Sequence, residues 1–212
     1  MFRDRLAAAE ILADKLQEYR DKKPLVLAIP RGAVPMGKVI AQRLDGDLDV
    51  VLVRKLSAPY QPELAIGSVD EGGWTYISDA AGICGADARY IATEKQTQLD
   101  TIRKRRALYT PVRDPLDPVG RTVIVVDDGL ATGATMIAAL HGLRAKKPAR
   151  LVCAVPVAPP DTLLKIEPLV DQVVCLEISP FFRAVGQFYE DFSQVDDMDV
   201  KAALASLSSA PV

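Results

Sequence analysis

A strand-like run that ends in two acids and a loop of small residues, at positions 123–135, constrains this chain more than any other stretch. Its sequence is VIVVDDGLATGAT, and the four leading β-branched residues are typical of a strand buried on both faces of a parallel sheet. Asp127 and Asp128 follow at the carboxyl end, where open α/β sheets bind ligands. Two adjacent carboxylates can accept hydrogen bonds from vicinal hydroxyls or hold a cation through water. We therefore expect a ligand site at this strand end.

The loop after the two acids has the composition of a phosphate-binding turn. Gly129 and Gly133 allow the backbone to turn tightly, and Thr132 and Thr135 supply hydroxyl donors. A helix predicted to begin near Thr135 presents unpaired N–H groups and the positive end of its dipole, both of which favour a bound anion. The residues predicted to bind one phosphate are Gly129, Leu130, Ala131, Thr132, Gly133, Ala134 and Thr135.

This pattern is not a Walker A loop, because no Gly-Lys-Ser/Thr follows, and it is not a GxGxxG dinucleotide motif. It resembles the phosphoribosyl pyrophosphate (PRPP) motif of type I phosphoribosyltransferases, in which four apolar residues precede two acids and a Gly/Ala/Thr-rich loop. The resemblance implies that Asp127 and Asp128 hold the ribose hydroxyls and contact Mg²⁺ through water, and that the loop holds the 5′-phosphate. An ordinary acidic turn of an α/β domain is the alternative explanation.

Residue 131 bears on the acceptor of the implied reaction. In family members that salvage 6-oxopurines, an aspartate commonly precedes the Thr-Gly pair and serves the base as a proton acceptor, whereas this chain has Ala131 there. The loop is more similar to the adenine and uracil versions. The resemblance therefore implies a nitrogen acceptor, a nucleobase or a similar heterocycle, without identifying it or its proton acceptor.

A second loop follows the apolar run 25–29, which predicts the first buried strand. Residues 30–37, PRGAVPMG, place one arginine among glycines and prolines, and such a loop can direct guanidinium and backbone donors at an oxyanion. It is similar to the pyrophosphate loop of the family. The resemblance implies a cis peptide bond between Pro30 and Arg31, and pyrophosphate contacts from Arg31 and Gly32. A solvated arginine in a proline-rich turn is the alternative.

A third apolar run, 48–53, predicts another strand and is followed directly by Arg54 and Lys55. Neighbouring residues of a strand point to opposite faces, so only one of the two needs to face the ligand. The family commonly has a Lys or Arg here that reaches pyrophosphate, and we assign that role first to Lys55, with Arg54 beside it. A surface charge at the end of a strand is the alternative.

Residues 57–79 predict a hairpin, because two short strand-like segments flank Gly72 and Gly73. The matching region of type I enzymes carries a mobile lid, and the resemblance implies a hairpin lid here. Closure excludes water, which would otherwise hydrolyse an oxocarbenium-like sugar. An ordinary packed hairpin is the alternative. The residues that can serve such a lid are Glu63, Trp74 and Tyr76.

Aromatic residues concentrate in residues 178–195, which hold four of the five Phe residues and one of the six Tyr residues. Related enzymes build a small hood, partly from terminal segments, that stacks a ring on the base. By this resemblance the candidates are Phe181, Phe182 and Tyr189. Closure of the sheet end or a dimer contact is the alternative, so a homodimer stays open.

Strand-like and helix-like segments alternate along the sequence, which predicts an α/β fold: a parallel sheet flanked by helices, with the hood and the lid added. We expect a single domain over residues 1–212, with its core at about 22–177. Residues 103–106 form a basic cluster on a predicted helix, for which a solvated face is favoured over phosphate binding. His141 is expected to be a partly exposed helix residue.

Composition limits the partners and the compartment. The formal net charge of -2 argues against a global positive potential that would attract nucleic acid or anionic membranes. No apolar run is long enough for a membrane helix. The three cysteines have neither disulfide nor metal-ligand spacing, and the first residues predict an amphipathic helix rather than a signal peptide. We therefore expect a cytoplasmic protein.

These features together predict a phosphoribosyltransferase that uses PRPP and Mg²⁺, with Asp127, Asp128 and Arg31 as its catalytic residues. Two other classes stay open. One is a non-catalytic regulator that senses PRPP or a nucleotide, and the other is a hydrolase of a phosphorylated ribose. Release of pyrophosphate with and without a base distinguishes the three.

Overall fold

The computed structural model describes residues 1–112 and 114–208. Its strands are β1 (Leu25–Ala28), β2 (Asp47–Val50), β3 (Val53–Ala58), β4 (Gln61–Asp70), β5 (Thr75–Ile77), β6 (Thr122–Val126), β7 (Arg150–Ala158) and β8 (Gln172–Ile178). Its α-helices are α1 (Arg5–Lys15), α2 (Val34–Arg43), α3 (Ala80–Ile83), α4 (Ala88–Tyr109), α5 (Ala134–Ala145), α6 (Pro160–Ile166) and α7 (Asp197–Ser208). The predicted α/β class is confirmed.

The central sheet is parallel and has five strands in the order β2-β1-β6-β7-β8. β1 lies between β2 and β6, and Ala28 pairs with both Val50 and Val126. The carboxyl ends of these three strands therefore coincide, and the chain segments that leave them lie side by side. This register brings the loop at residues 30–32 next to the acidic pair after β6.

Alternation along β1 distributes its side chains between two cores. Val26 and Ala28 belong to the core under α1, α2, α4 and α7, whereas Leu25 and Leu27 belong to the core under α5 and α6. All four side chains are buried. A strand covered on both faces has no polar side, which is why it appears in the sequence as a continuous apolar run.

A second, smaller sheet is antiparallel and has the order β3-β4-β5. β4 and β5 form the predicted hairpin around Gly72 and Gly73, and Gly73 has a φ of 82°, which favours glycine. β3 and β4 form another hairpin, with Pro59 and Tyr60 at its tip. The chain therefore places two hairpins, not one, in the region expected to form a lid.

The apolar run 48–53 is not one strand, which corrects the prediction. It divides between the two sheets at Val51 and Leu52. The Val51 amide still donates to β1 at 3.0 Å, whereas the carbonyl of Leu52 accepts from the Glu71 amide, after β4, at 3.1 Å. The two basic residues that follow therefore lie inside β3 and not at the end of a parallel strand.

α1 begins at Arg5 and is capped by Asp4, whose carboxylate accepts a hydrogen bond from the Ala7 amide at 2.7 Å. α4 is the longest helix, with 22 residues, and packs along β3 and β4. Among the described residues, no helix combines the length and the hydrophobicity that a membrane span requires.

Candidate functional site

The backbone of the loop after β6 depends on two glycines. Gly133, directly before α5, has a φ of 75°, in the left-handed region that favours glycine. Gly129 has a φ of 154°, and a β-carbon there would lie 2.7 Å from Val185 Cγ1 and 2.9 Å from Val157 Cγ1. The loop is therefore pressed between β7 and the hood region, and neither glycine tolerates a side chain without displacement.

Three successive amides of this loop have no protein acceptor within the part of the chain that the structure describes: those of Ala131, Thr132 and Gly133. The next amide, of Ala134, has only a long contact with Thr132 Oγ1 at 3.4 Å. The space beside this loop has a volume of about 200 Å³. Successive unpaired amides at the start of a helix are well suited to a phosphate group.

Leu130 is the exception among the predicted phosphate-binding residues. Its amide donates to Val157 O at 2.9 Å, and its side chain is buried in the core under α5. The neighbouring carbonyl of Ala131 is also engaged, because it accepts from Thr162 Oγ1 at 2.7 Å. Leu130 therefore anchors the loop to β7, and the prediction that its amide is directed at a phosphate is wrong.

The two acids after β6 differ in their surroundings. Asp127 is half-buried, and its Oδ1 accepts from the Asp128 amide at 2.9 Å. Burial, followed by the negative charge of Asp128, raises the pKa of the Asp127 carboxyl well above its usual range. Asp128 Oδ2 instead accepts a hydrogen bond from Arg5 Nε at 2.8 Å.

Arg5 is a site residue that the sequence analysis does not identify. It lies 123 positions from Asp128 in the chain, at the first position of α1. The contact forms because α1 packs against β7 and β8, and its amino end reaches the carboxyl end of the sheet, where the acids lie. No local pattern encodes such a contact, so the sequence contained no signal that could have found it.

The acidic pair is also the expected position of a metal. Within residues 1–112 and 114–208, no three or more His, Cys, Asp or Glu residues form a group that could hold a metal ion. Mg²⁺ usually keeps several waters and takes one or two protein carboxylates together with substrate phosphates. The pair therefore fits a metal that arrives with a phosphorylated substrate, and it does not fit a site built from protein ligands alone.

The loop after β1 touches the acidic pair. The peptide bond between Pro30 and Arg31 is cis, as predicted. A β-carbon at Gly32 would lie 2.1 Å from Asp128 Oδ2, so the close approach of the two loops requires glycine. Arg31 lies to the side, where its Nη1 is 3.7 Å from Asp197 Oδ2 of α7. The loops after β1 and β6 thus form one continuous rim.

A cleft of about 700 Å³ separates this rim from the β3-β4 hairpin. Arg54, Lys55 and Arg105 line the cleft, and Glu63 is the acid among its lining residues. Lys55 Nζ lies 3.4 Å from Glu63 Oε2, and Arg54 Nε donates to Gln98 Oε1 at 3.0 Å. Among the described residues that line the cleft, three cations face one acid, and this excess of positive charge favours an anionic ligand.

The basic run 103–106 divides among three environments. Arg103 pairs with Asp100 at 3.0 Å on the surface, Arg105 lines the cleft, and Arg106 is buried in a cluster with two acids. The preferred interpretation of the run as a solvated face is therefore correct for Arg103 and wrong for the buried Arg106, while Arg105 is half-buried beside the cleft. A helix turns by about 100° per residue, which explains why consecutive arginines face different surroundings.

The hairpin around the Gly-Gly turn is packed against the domain. Trp74 and Tyr76 stack on His141 of α5, with ring centroids 5.4 and 5.1 Å away. Burial in this stack lowers the pKa of His141. Of the three lid candidates, only Glu63 lines the cleft, and it belongs to the other hairpin, whose tip residue Tyr60 is fully exposed. The element that faces the cleft is therefore the β3-β4 hairpin.

The hood region is joined to the first residues of the chain. The Phe2 amide donates to Phe188 O at 2.7 Å, and the Phe2 carbonyl accepts from the Glu190 amide at 2.9 Å. This agrees with a hood built partly from a terminal segment. Of the predicted base-stacking residues, Phe182 packs on Phe188 with centroids 5.4 Å apart, and Phe181 is 83% exposed.

Tyr189, the third predicted base-stacking residue, has a different position. Its buried ring packs against Phe2 and Phe192, at centroid distances of 5.6 and 5.1 Å, and its hydroxyl donates to Asp128 O at 2.6 Å. Burial, followed by the charge of Asp128, raises the pKa of the phenol, so the hydroxyl keeps its proton. Tyr189 therefore holds the backbone of Asp128 and does not present its ring to a ligand.

Comparison with known proteins gives a consistent result. The family described as phosphoribosyl transferase domain matches residues 4–193. A Mycobacterium tuberculosis H37Rv protein named "Putative phosphoribosyl transferase" is 39% identical over 206 residues, which cover 96% of this chain and 46% of that protein. The chain thus spans about half the length of this relative. A ribose-phosphate pyrophosphokinase of Methanopyrus kandleri is 30% identical over 115 residues, 53% of this chain and 31% of that protein.

Solved structures share the architecture. The protein TT1426 from Thermus thermophilus superimposes with a TM-score of 0.87 and 43% identity, covering 97% of this chain and 98% of the other. The protein AQ2163 from Aquifex aeolicus reaches a TM-score of 0.50 at 13% identity, covering 82% of this chain and 74% of the other. At that identity the second similarity concerns the fold alone.

Proposed function

Because the chain belongs to the phosphoribosyl transferase family, we propose that it transfers a 5-phosphoribosyl group from PRPP to a nitrogen acceptor and releases pyrophosphate. In this reaction the bond from the anomeric carbon to the pyrophosphate oxygen breaks, and a bond from that carbon to the acceptor nitrogen forms. The acceptor nitrogen loses its proton, for which no residue of the chain is assigned. The acceptor class is a nucleobase or a similar heterocycle.

The observation that carries the proposal is the group of unpaired amides at Ala131, Thr132 and Gly133, beside two carboxylates. These amides, with the amides of Ala134 and Thr135 and the hydroxyls of the two threonines, would hold the 5′-phosphate. Asp127 and Asp128 would accept hydrogen bonds from the ribose hydroxyls. Such contacts fix the sugar relative to the attacking and leaving groups, which is the main contribution of positioning to catalysis.

The leaving group would occupy the positively charged side of the site. Arg31 and Gly32 on the first loop, and Arg54, Lys55 and Arg105 in the cleft, provide donors for a pyrophosphate. Mg²⁺ bound with the substrate would neutralise part of the developing negative charge, with the acidic pair contacting its water shell. Positive groups placed before the reaction stabilise the departing anion without reorganisation.

The acceptor would lie toward the hood. Phe181 is the proposed stacking residue because its ring is exposed, and Phe182 supports it from the core side. Ala131 in the phosphate loop has no side chain that could accept a proton, so the loop does not supply the aspartate of the 6-oxopurine enzymes. The name of the Methanopyrus relative, a ribose-phosphate pyrophosphokinase, supports a ligand that combines ribose phosphate with pyrophosphate.

The decisive experiment is to incubate the protein with PRPP and Mg²⁺, with and without a panel of bases, and to follow pyrophosphate and products by mass spectrometry. The proposal requires pyrophosphate release that depends on a base, together with a ribosylated product. Pyrophosphate release without any base would indicate a hydrolase, and binding of PRPP without release for any acceptor would indicate a regulator.

The Asp128→Asn variant tests the site itself. We expect it to weaken PRPP binding about 10- to 100-fold, the effect of weakening hydrogen bonds to a charged acceptor. Asp45→Asn is the matched control. Asp45 is exposed and precedes β2, so it lies at the amino end of the sheet, away from the acidic pair. Equal PRPP affinity of the two variants, measured by calorimetry, would refute the assignment of Asp128.

A further inference from the structure

We propose that Arg5 is a positioning residue for the sugar site: its guanidinium orients the Asp128 carboxylate and connects it to the hood. This inference rests on the proposed function, because it takes Asp128 as a group that binds ribose hydroxyls. Arg5 Nε lies 2.8 Å from Asp128 Oδ2, and the two side chains are only 12% and 15% exposed. At this burial an ion pair is weakly screened by water and salt, in contrast to a surface pair.

The guanidinium is itself fixed by groups that are not part of the sugar site. Arg5 Nη1 donates to Ser193 O at 2.7 Å, and the ring of Phe192 lies 3.7 Å from the guanidinium carbon, as a cation–π partner. The Cα of Arg5 is held at the start of α1 by the Asp4 cap. The direction from which Arg5 approaches Asp128 is therefore set before any ligand binds.

Only one of the two oxygens of the Asp128 carboxylate takes part in this contact. Arg5 occupies Asp128 Oδ2, and among the residues that the structure describes no donor is hydrogen-bonded to Asp128 Oδ1. One oxygen therefore serves to orient the group, and the other has free lone pairs for a hydroxyl. Orientation of a ligand-binding side chain by a second side chain commonly changes affinity 10- to 100-fold at metal sites, and the same geometric argument holds here.

The hood holds Asp128 at a second point. The Tyr189 hydroxyl donates to Asp128 O, while Phe192 and residue 193 of the same segment hold Arg5. Phe2 joins this segment to the chain just before α1. The hood thus contacts the backbone of Asp128 through Tyr189 and its side chain through Arg5. We therefore expect a shift of the hood to move Asp128 with it.

The test compares Arg5→Gln and Arg5→Lys with Arg3→Gln in calorimetric binding of three probes: PRPP with Mg²⁺, ribose 5-phosphate and inorganic pyrophosphate. Arg3 is a matched control because it is exposed and pairs with its neighbour Asp4. We expect Arg5→Gln to weaken the binding of PRPP and of ribose 5-phosphate about tenfold, which corresponds to the loss of roughly one charge-assisted contact. The affinity for pyrophosphate should be unchanged. Arg5→Lys should restore part of this loss, and Arg3→Gln should match the parent for all three.

A double variant with Asp128→Asn separates positioning from a merely structural role. If Arg5 acts through Asp128, Arg5→Gln should add little to the loss already caused by Asp128→Asn. A lower melting temperature with unchanged affinities, an equal loss for all three probes, or an additive double variant would overturn the inference. Tighter sugar binding by Arg5→Gln would also overturn it, because Arg5 would then compete with the sugar. A parent protein that binds none of the probes refutes the proposed function itself, and this inference with it.

Discussion

Two arginines, the buried Arg106 and the half-buried Arg5, show how the same side chain serves two different parts of this molecule. Arg106 of α4 donates to both Glu71 oxygens at 2.7 Å, to Asp49 Oδ1 at 3.0 Å and to Val50 O at 3.1 Å. Asp49 also accepts from two backbone amides, at 2.7 and 2.9 Å. This cluster lies where the chain passes from β2 to β3, and each of its carboxylate oxygens has a protein donor.

The ion pair between Arg5 and Asp128 lies at the carboxyl end of the central sheet and leaves one carboxylate oxygen without a protein donor among the described residues. The neighbouring Asp127 carries a raised pKa because of burial. In the Arg106 cluster burial disfavours the charged guanidinium, but Glu71 and Asp49 outweigh it and raise the pKa of Arg106. The Arg106 cluster, in which every carboxylate oxygen accepts a hydrogen bond, joins the two sheets. The Arg5–Asp128 pair leaves one carboxylate oxygen available to a ligand.

The largest effect is expected from Arg106→Gln. Removal of the guanidinium leaves Asp49 buried without a counter-charge, which should cost about 3–5 kcal/mol of the free energy of unfolding. Urea denaturation measures this loss. Arg103→Gln is the matched control from the same helix, and because its ion pair is exposed it should change stability by less than about 0.5 kcal/mol. Equal losses for the two variants would remove the contrast between a structural cluster and a surface pair.

In contrast to Arg106→Gln, Asp127→Asn is expected to raise the free energy of unfolding in Mg²⁺-free buffer. The raised pKa of Asp127 means that the fold favours its protonated form, so its stabilising contribution is complete below the unfolded pKa and is lost as pH rises through the folded pKa. At pH 8 the neutral amide should therefore unfold with a free energy about 1–2 kcal/mol higher than the parent's. The gain should shrink as pH falls toward 4, while PRPP binding is weakened.

Thermal or urea unfolding at several pH values tests this sign. A gain that does not change with pH would show that the charge of Asp127 is not its source. A loss at pH 8 would contradict the claim that the Asp127 carboxylate lowers the stability of the fold. The acidic pair would then resemble the Arg106 cluster, in which the charged groups stabilise each other.

The smallest effect is expected from Tyr189→Phe. This variant removes the hydroxyl that donates to Asp128 O and keeps the ring packed against Phe2 and Phe192. We expect a loss of about 1 kcal/mol in unfolding free energy, the net value of one buried hydrogen bond. Tyr60→Phe is the control, since Tyr60 is fully exposed and should not change stability. No difference between the two would mean that the hood does not hold Asp128 through its backbone.

Local features of this protein were predictable because their causes are local. The β-branched run at 123–126 forms a buried strand, and the two glycines of the following loop adopt the backbone angles that glycine permits. Each of these depends on residues within a few positions. The α/β class followed similarly, because alternating strand and helix patterns leave few arrangements of a parallel sheet.

Errors arose where packing decided between equivalent local patterns. The run 48–53 is apolar throughout, and only hydrogen bonds to different neighbours divide it between two sheets. Tyr189 and Phe181 belong to the same aromatic segment, yet one is buried against Asp128 and the other is exposed. The prediction for the Leu130 amide failed in the same way, because its acceptor lies on a separate strand.

The amino-acid sequence by itself determined the strand, the acidic pair and the glycine-containing loop, since backbone preference and hydrophobic burial act between near neighbours. Only the tertiary structure decided that Arg5 meets Asp128, that Arg105 faces the cleft and that Arg106 is buried. Those outcomes depend on how helices from distant parts of the chain pack on the sheet. A guanidinium carries the same charge in every position, so its role is set by the carboxylate that the fold places in front of it.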